Sequence, residues 1–237
     1  MKYFLTLIIF ANISFANCQP DIFNSTNNTS TVGTLEAYDQ SGKRIPTGNA
    51  ATVEGSKMLN DRFEKGVVKF RTGQQYTDVL LNLSLVTNEL YFKKDTLQLM
   101  FANPVEQFVL PVNDNGKEKT FFFKSGYPYS GKQTNASFYQ LLTGGPKFEF
   151  LKYEYKTATE HYSYGGPVKN EYETRYQLYI YDVINDKIFE ISNNIKSLKR
   201  SLPAYETIID NFASQNKTKF KQEDEIKLLI DFINKQI

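Results

Sequence analysis

The chain has one cysteine, Cys18, one histidine, His161, and no tryptophan in 237 residues. One cysteine cannot form a disulfide within the chain, and one cysteine with one histidine cannot build a Cys/His zinc site. A Cys-His nucleophilic pair would have to use Cys18, in a terminal segment poorly suited to a buried active site. Ser-His-Asp chemistry would rest on His161, which stands among tyrosines beside Gly165-Gly166-Pro167, where a polar turn residue is the simpler account. The charge is nearly balanced, with a formal net value of +2, and this argues against a nucleic-acid partner, which needs a basic patch or stripe. Long apolar runs are missing after the first residues, so no transmembrane helix is expected in the remainder, because spanning takes about 20 residues.

The first residues do carry an apolar run. Lys2 precedes Phe4-Leu5-Thr6-Leu7-Ile8-Ile9-Phe10-Ala11, and Ser14-Phe15-Ala16 follows. Positive, apolar and then small residues is the order of a secretory signal, assigned here to residues 1–16. Cys18 directly behind it is a candidate for lipidation, although Asn17 is a poor fit to a lipobox, and ordinary cleavage after Ala16 is the alternative. Either route predicts export to the periplasm, the outer membrane or the exterior, with membrane attachment only through an acylated Cys18. Export argues against ATP, NAD or GTP as ligands, and no cofactor is expected. Residues 17–52 include the polar run Asn24-Ser25-Thr26-Asn27-Asn28-Thr29-Ser30 and read as a flexible tether. Asn24, Asn27, Asn28, Asn82, Asn135 and Asn216 each begin an N-x-[ST] triplet, a pattern of consequence only in a host that glycosylates it.

Aromatic content is 15%, all Tyr and Phe, which suits pleated surfaces. Residues 53–191 read as a β-rich domain. From Gly66 to Phe123 the apolar pairs Val68/Phe70, Leu81/Leu83, Leu90/Phe92, Leu97/Leu99, Phe108/Leu110 and Phe121/Phe123 alternate with polar residues, and turn residues separate them. This is a β meander, and it needs cover on its apolar face. Gly126 to Asn135 is an exposed connection. Its Gly126, Gly131 and Lys132 stand at P-loop spacing, but Gln133 replaces the Ser or Thr that would hold magnesium, so a plain loop is the reading. Asn113-Asp114-Asn115-Gly116 is a β turn, since no Glu follows at the distance a calcium loop requires.

A long hairpin follows, Lys147 to Thr159 and Asn170 to Tyr181, with His161 to Pro167 at its tip. Tyr153, Tyr155, Tyr162, Tyr164 and Tyr172 could stack on sugar rings or aromatic ligands; cross-strand packing is the plainer explanation. From Ser192 the period changes, and residues 192–237 form a helical segment on the same domain. Pro203 suits a helix start, Glu223, Asp224 and Glu225 suit the positive end of another, and Ile226, Leu229, Ile230 and Ile233 make an i, i+3, i+4, i+7 stripe. The predicted class is α+β and predominantly antiparallel, with meander and hairpin in a sandwich or partly closed barrel and the C-terminal helices packed on it.

Three stretches carry a resemblance: Val53-Glu54-Gly55-Ser56-Lys57-Met58-Leu59-Asn60 with Gly66 behind it, Leu90-Tyr91-Phe92-Lys93, and Phe220 to Ile230 with Phe232-Ile233-Asn234. Together they resemble a broad group of exported Bacteroidota cell-envelope proteins of unknown function, over Val53 to Asn234. The resemblance implies location and architecture, and it transfers no catalytic residue. The expected function is a non-catalytic envelope module that binds an envelope component, peptide, glycan or lipid. Two alternatives stand beside it. An exported glycoside hydrolase would need two carboxylates about 5–10 Å apart across a cleft. A lipid-binding β container would need a cavity lined by Leu81, Leu83, Phe92 and Phe121.

Overall fold

The computed structural model describes residues 37–38, 44–45, 53–114, 116–162 and 169–236. The leader, Cys18 and Tyr164 lie outside them. The chain divides into two compact units, Met1–Ala50 and Ala51–Ile237. In the first, β1 (Ala37–Tyr38) pairs antiparallel with β2 (Arg44–Ile45), within the stretch read as a tether.

The second unit is built on one open, mostly antiparallel sheet. Its strands are β3 (Val53–Glu54), β4 (Glu64–Phe70), β5 (Gln75–Ser84), β6 (Glu89–Lys94), β7 (Leu97–Met100), β8 (Val105–Asp114), β9 (Lys117–Lys124), β10 (Tyr139–Gly144), β11 (Phe148–His161), β12 (Lys169–Asp182) and β13 (Lys187–Ile191). They lie in the order β13-β12-β11-β10-β9-β8-β4-β5-β6-β7, and β3 adds to β12 in a parallel pairing. Every neighbour along that order is consecutive in sequence except β4 and β8, so the predicted meander and hairpin are two ends of one sheet. Asn88, Asp95 and Asp186 turn the chain with φ of 56°, 56° and 51°, a left-handed conformation that Asn and Asp tolerate best among residues with a Cβ. β11 and β12 run on to His161 and Lys169, so His161 ends a strand and does not belong to the turn; its Nε2 lies 3.3 Å from Glu173.

The meander half buries Val68, Phe70, Leu81, Leu83, Phe108, Leu110 and Phe123 in one cluster. Close approach of backbone fixes one position there. A Cβ on Gly66 would stand 2.4 Å from the Val109 carbonyl oxygen, opposite a bulge where Asp78 takes a φ of 56°. Two expectations fail in this half. Leu97 and Leu99 belong to an edge strand and remain exposed, Leu97 at 62%, because among the described residues no further element covers that edge. Asn82, on the polar face of β5, is only 1% exposed. Residues 57–59 pair antiparallel beside Leu83 to Leu85, with Leu59 N–H donating to the Leu83 carbonyl (2.8 Å) and Leu85 N–H to the Lys57 carbonyl (2.9 Å), and the Asn82 amide donates to the carbonyls of Asn60 (2.8 Å) and Arg62 (3.1 Å) and accepts from the Asn60 backbone N–H (3.2 Å).

Helices α1 (Ile195–Ser201), α2 (Glu206–Asn216) and α3 (Glu223–Asn234) cover the hairpin half only, joined by a 3-10 turn at Pro203–Tyr205. Asn194 caps α1 by accepting from the Ser197 N–H at 2.8 Å, and Gln222 with Glu225 forms a capping box on α3. The predicted stripe of α3 is fully buried against Phe148, Phe150, Leu178 and Ile180, and each Ile or Leu contributes about 1.5–3 kcal/mol by transfer from water. α3 is keyed to the sheet at its last turn. The buried Asn234 amide accepts from the Lys147 and Phe148 N–H groups (3.2 and 2.9 Å) and donates to the Phe148 carbonyl (2.9 Å). Gly145 leaves the room, since a Cβ there would lie 2.4 Å from Asn234 Cγ.

Asn234→Ala strands the buried Phe148 N–H and C=O and is expected to cost about 2 kcal/mol. That corresponds to a Tm lower by roughly 4–8 °C in a thermal melt followed by circular dichroism. A shift below 1 °C would show that the latch contributes nothing.

Candidate functional site

Parity along the hairpin separates two faces. β11 and β12 pair without a break from Phe148↔Asp182 to His161↔Lys169, so Tyr153 stands opposite Gln177 and Tyr155 opposite Arg175. Phe150, Leu178 and Ile180 point to the helices; Leu151, Tyr153, Tyr155 and Tyr179 therefore line the other face. Tyr139 meets Tyr127 and Tyr179 edge to face at 5.3 Å and lies tilted against Tyr153 at 5.4 Å. Tyr153 and Tyr155 follow at 5.9 Å with planes 33° apart. Burial pushes up the phenols of Tyr127, Tyr139, Tyr153 and Tyr179, and the Glu149 carboxylate raises Tyr127 further.

Residues 125–138 form a roof over part of this face. The stretch read as an exposed loop is pinned along its length. Tyr127 is buried and donates to Glu149 at 2.7 Å, while Lys124 donates to the other oxygen of that carboxylate at 2.7 Å. Arg71 donates to the Asn135 carbonyl at 2.6 Å, and Asn88 exchanges two hydrogen bonds with the Phe138 backbone. Gln133 is buried, its amide donating to Gln177 Oε1 at 3.1 Å. Gln177 donates onward to Glu190 at 3.3 Å, and the Tyr179 hydroxyl joins the network at 3.2 Å from Gln177 Oε1. A strand, β10, follows this loop, where a P-loop would require a helix.

Two adjoining depressions open along the roof. One, of about 610 Å³, has Asn88, Leu90, Met100, Phe101 and Phe138 in its walls and Arg71 and Glu89 among its charged groups. The other, of about 440 Å³, lies over Tyr155, Thr157, Gln177 and Glu190, with Gln133 and Val86 at its sides. Tyr153 and Lys132 line both. Both volumes fall in the range of small-ligand clefts. Lys156 also lines the second, but its ammonium donates to the Ser56 and Met58 carbonyls (2.9 and 2.8 Å), and burial lowers its pKa. The Thr157 hydroxyl is buried without a hydrogen-bond partner. Each depression holds a single carboxylate: Glu89, which accepts from Tyr91 at 2.8 Å, in the first, and Glu190 in the second.

Of the five tyrosines singled out in the sequence, Tyr153 and Tyr155 come together at this site. Tyr172 pairs with Ala158 and so faces the other side of the sheet. Tyr162 is 76% exposed at the end of the hairpin, where it bonds to Glu160. Gln177 and Glu190 had one signal in the sequence, their strand parity. Gln133, Asn88 and Lys132 had none beyond loop composition. No known protein family, curated protein or solved structure matches the chain.

Phenols raised above the unfolded value of about 10 keep their neutral form in the fold, so their contribution is intact below that pH and is lost as pH climbs through the folded values. Tyr181, pushed up to about 12 by burial and Asp186, belongs to the same group. In an alkaline titration the tyrosinate absorbance of this cluster is expected to rise together with loss of the sheet's circular dichroism. Ionisation of all 16 tyrosines while the sheet stays intact would contradict it.

Proposed function

We propose that the protein is an exported, non-catalytic binding module of the cell envelope, whose ligand lies under the 125–138 roof on the tyrosine face. The observation that carries the reading is the sharing of Tyr153 and Lys132 by both depressions, which makes them one ligand surface. Its floor is set by paired strands and its roof by hydrogen bonds, so the surface is formed in advance of binding, which limits the entropy lost on association. The leader-like start and the polar run behind it support export. The joined surface carries two carboxylates, one in each depression, and both are engaged within the protein, Glu89 by the Tyr91 hydroxyl and Glu190 by the Gln177 amide, which favours binding over hydrolysis. The container reading has less support, because Leu81 and Leu83 are buried inside the meander cluster and line neither depression.

The full chain, expressed in a Gram-negative host, should fractionate with the periplasm or membranes. Mass spectrometry should find it starting at Asn17 or at an acylated Cys18. Recovery from the cytoplasm with Met1 retained would sink the export half of the reading. Addition of a solubilised envelope extract should slow hydrogen exchange in residues 125–138 and in β11; protection confined to other elements would remove the groove from the proposal.

A further inference from the structure

We infer that this groove takes an uncharged oligosaccharide, with one pyranose ring laid on the Tyr153–Tyr155 shelf and its hydroxyls bonded by the polar groups around it. The inference rests on the reading of the groove as the ligand site and adds the chemistry of the ligand. A pyranose has one face of C–H bonds and a rim of hydroxyls. Two tyrosines adjacent on one strand, 5.9 Å apart and inclined by 33°, offer a flat apolar surface of matching kind.

The rim groups also match. A hydroxyl both donates and accepts, and so do the side-chain amides of Gln133 and Gln177 that border the shelf. Two of the three charged groups around this depression are engaged within the protein, the Lys156 ammonium by two backbone carbonyls and Glu190 by Gln177; the third, Lys132, is exposed and can donate to a sugar hydroxyl.

Other classes fit less well. An extended peptide would add to a strand edge through main-chain hydrogen bonds; beside the shelf, where β10 stops at Gln140↔Lys152, the Lys156 N–H already donates to the Leu85 carbonyl at 2.9 Å. Against the polar wall of Gln133, Gln177 and Glu190 an alkyl chain would displace water without replacing its hydrogen bonds. Beyond Tyr153 the larger depression continues the surface, so the chain can run past the first ring.

The test is calorimetric titration of the purified full chain with cellohexaose, maltohexaose and chitohexaose, three neutral hexasaccharides. At least one is expected to bind. Tyr155→Ala should weaken that binding about tenfold by removing the stacking ring, and Tyr155→Phe should keep it within about twofold. Tyr176→Ala, on the opposite face, should leave it unchanged. Absence of binding by all three sugars, or equal binding by Tyr155→Ala in a variant whose circular dichroism is native, overturns the proposal. Palmitate and an uncharged decapeptide are measured in parallel. If either binds and is lost in Tyr155→Ala, the groove remains the ligand site and the saccharide is wrong; if no probe responds to Tyr155→Ala, the groove reading falls as well.

Discussion

An unbroken register between β11 and β12 is the constraint on which the second unit depends. Because the pairing holds from Phe148↔Asp182 to His161↔Lys169 without a bulge, a side chain's side of the sheet is decided by whether its number is odd or even. Even positions on the inner half of β11 and β12 carry Phe148, Phe150, Leu178 and Ile180 to the helices. Odd positions carry Leu151, Tyr153, Tyr155 and Tyr179 to the roofed face. A slip of one residue would exchange the two sets, burying tyrosine hydroxyls under α3 and presenting Phe150 and Ile180 to the groove. One pairing thus sustains both the aliphatic core and the aromatic floor.

The rest of the architecture protects that register. Asn234 grips the start of β11 from the last turn of α3, and Lys152 reaches Glu223 at 3.0 Å from the same helix's first turn, so the helix spans the strand and holds it at two points. On the other face the 125–138 segment is anchored through Tyr127 and Gln133. Both anchors are polar atoms on largely buried side chains, and both are hydrogen-bonded, the condition under which buried polar groups do not cost stability. Meander and hairpin remain one sheet while keeping separate apolar clusters, and only the hairpin cluster includes the helices.

Much of the fold was legible in the sequence because it is written in periodicity. Period two located the meander strands β4 to β9 and both arms of the long hairpin, with Phe121/Phe123 as a clear instance, and the stripe Ile226, Leu229, Ile230, Ile233 located α3. Tertiary facts without a periodic signature were not legible. Nothing local tells that Leu97 lies on an uncovered edge while Leu83 lies in a core, since both alternate in the same way. Nothing local tells that the Asn82 amide would be engaged by a segment some twenty residues earlier. The site was half legible: Tyr153 and Tyr155 stood out as aromatics on one strand, but their separation from Tyr172 required the register, and the roof required the hydrogen bonds of a loop that composition alone marks as exposed.

The seating of Asn82 has a practical side. Its triplet Asn82-Leu83-Ser84 satisfies the rule for N-linked sugar attachment, yet in the folded chain the amide nitrogen donates to two main-chain carbonyls and is closed to solvent. A transferase could reach it only on the unfolded polypeptide, and a sugar added then would bar residues 56–62 from docking. Asn135, by contrast, is exposed and can carry such a group without that conflict. Production through a eukaryotic secretory route would therefore set modification against folding at one position and not at the other, whereas a bacterial exporter without that enzyme never meets the choice.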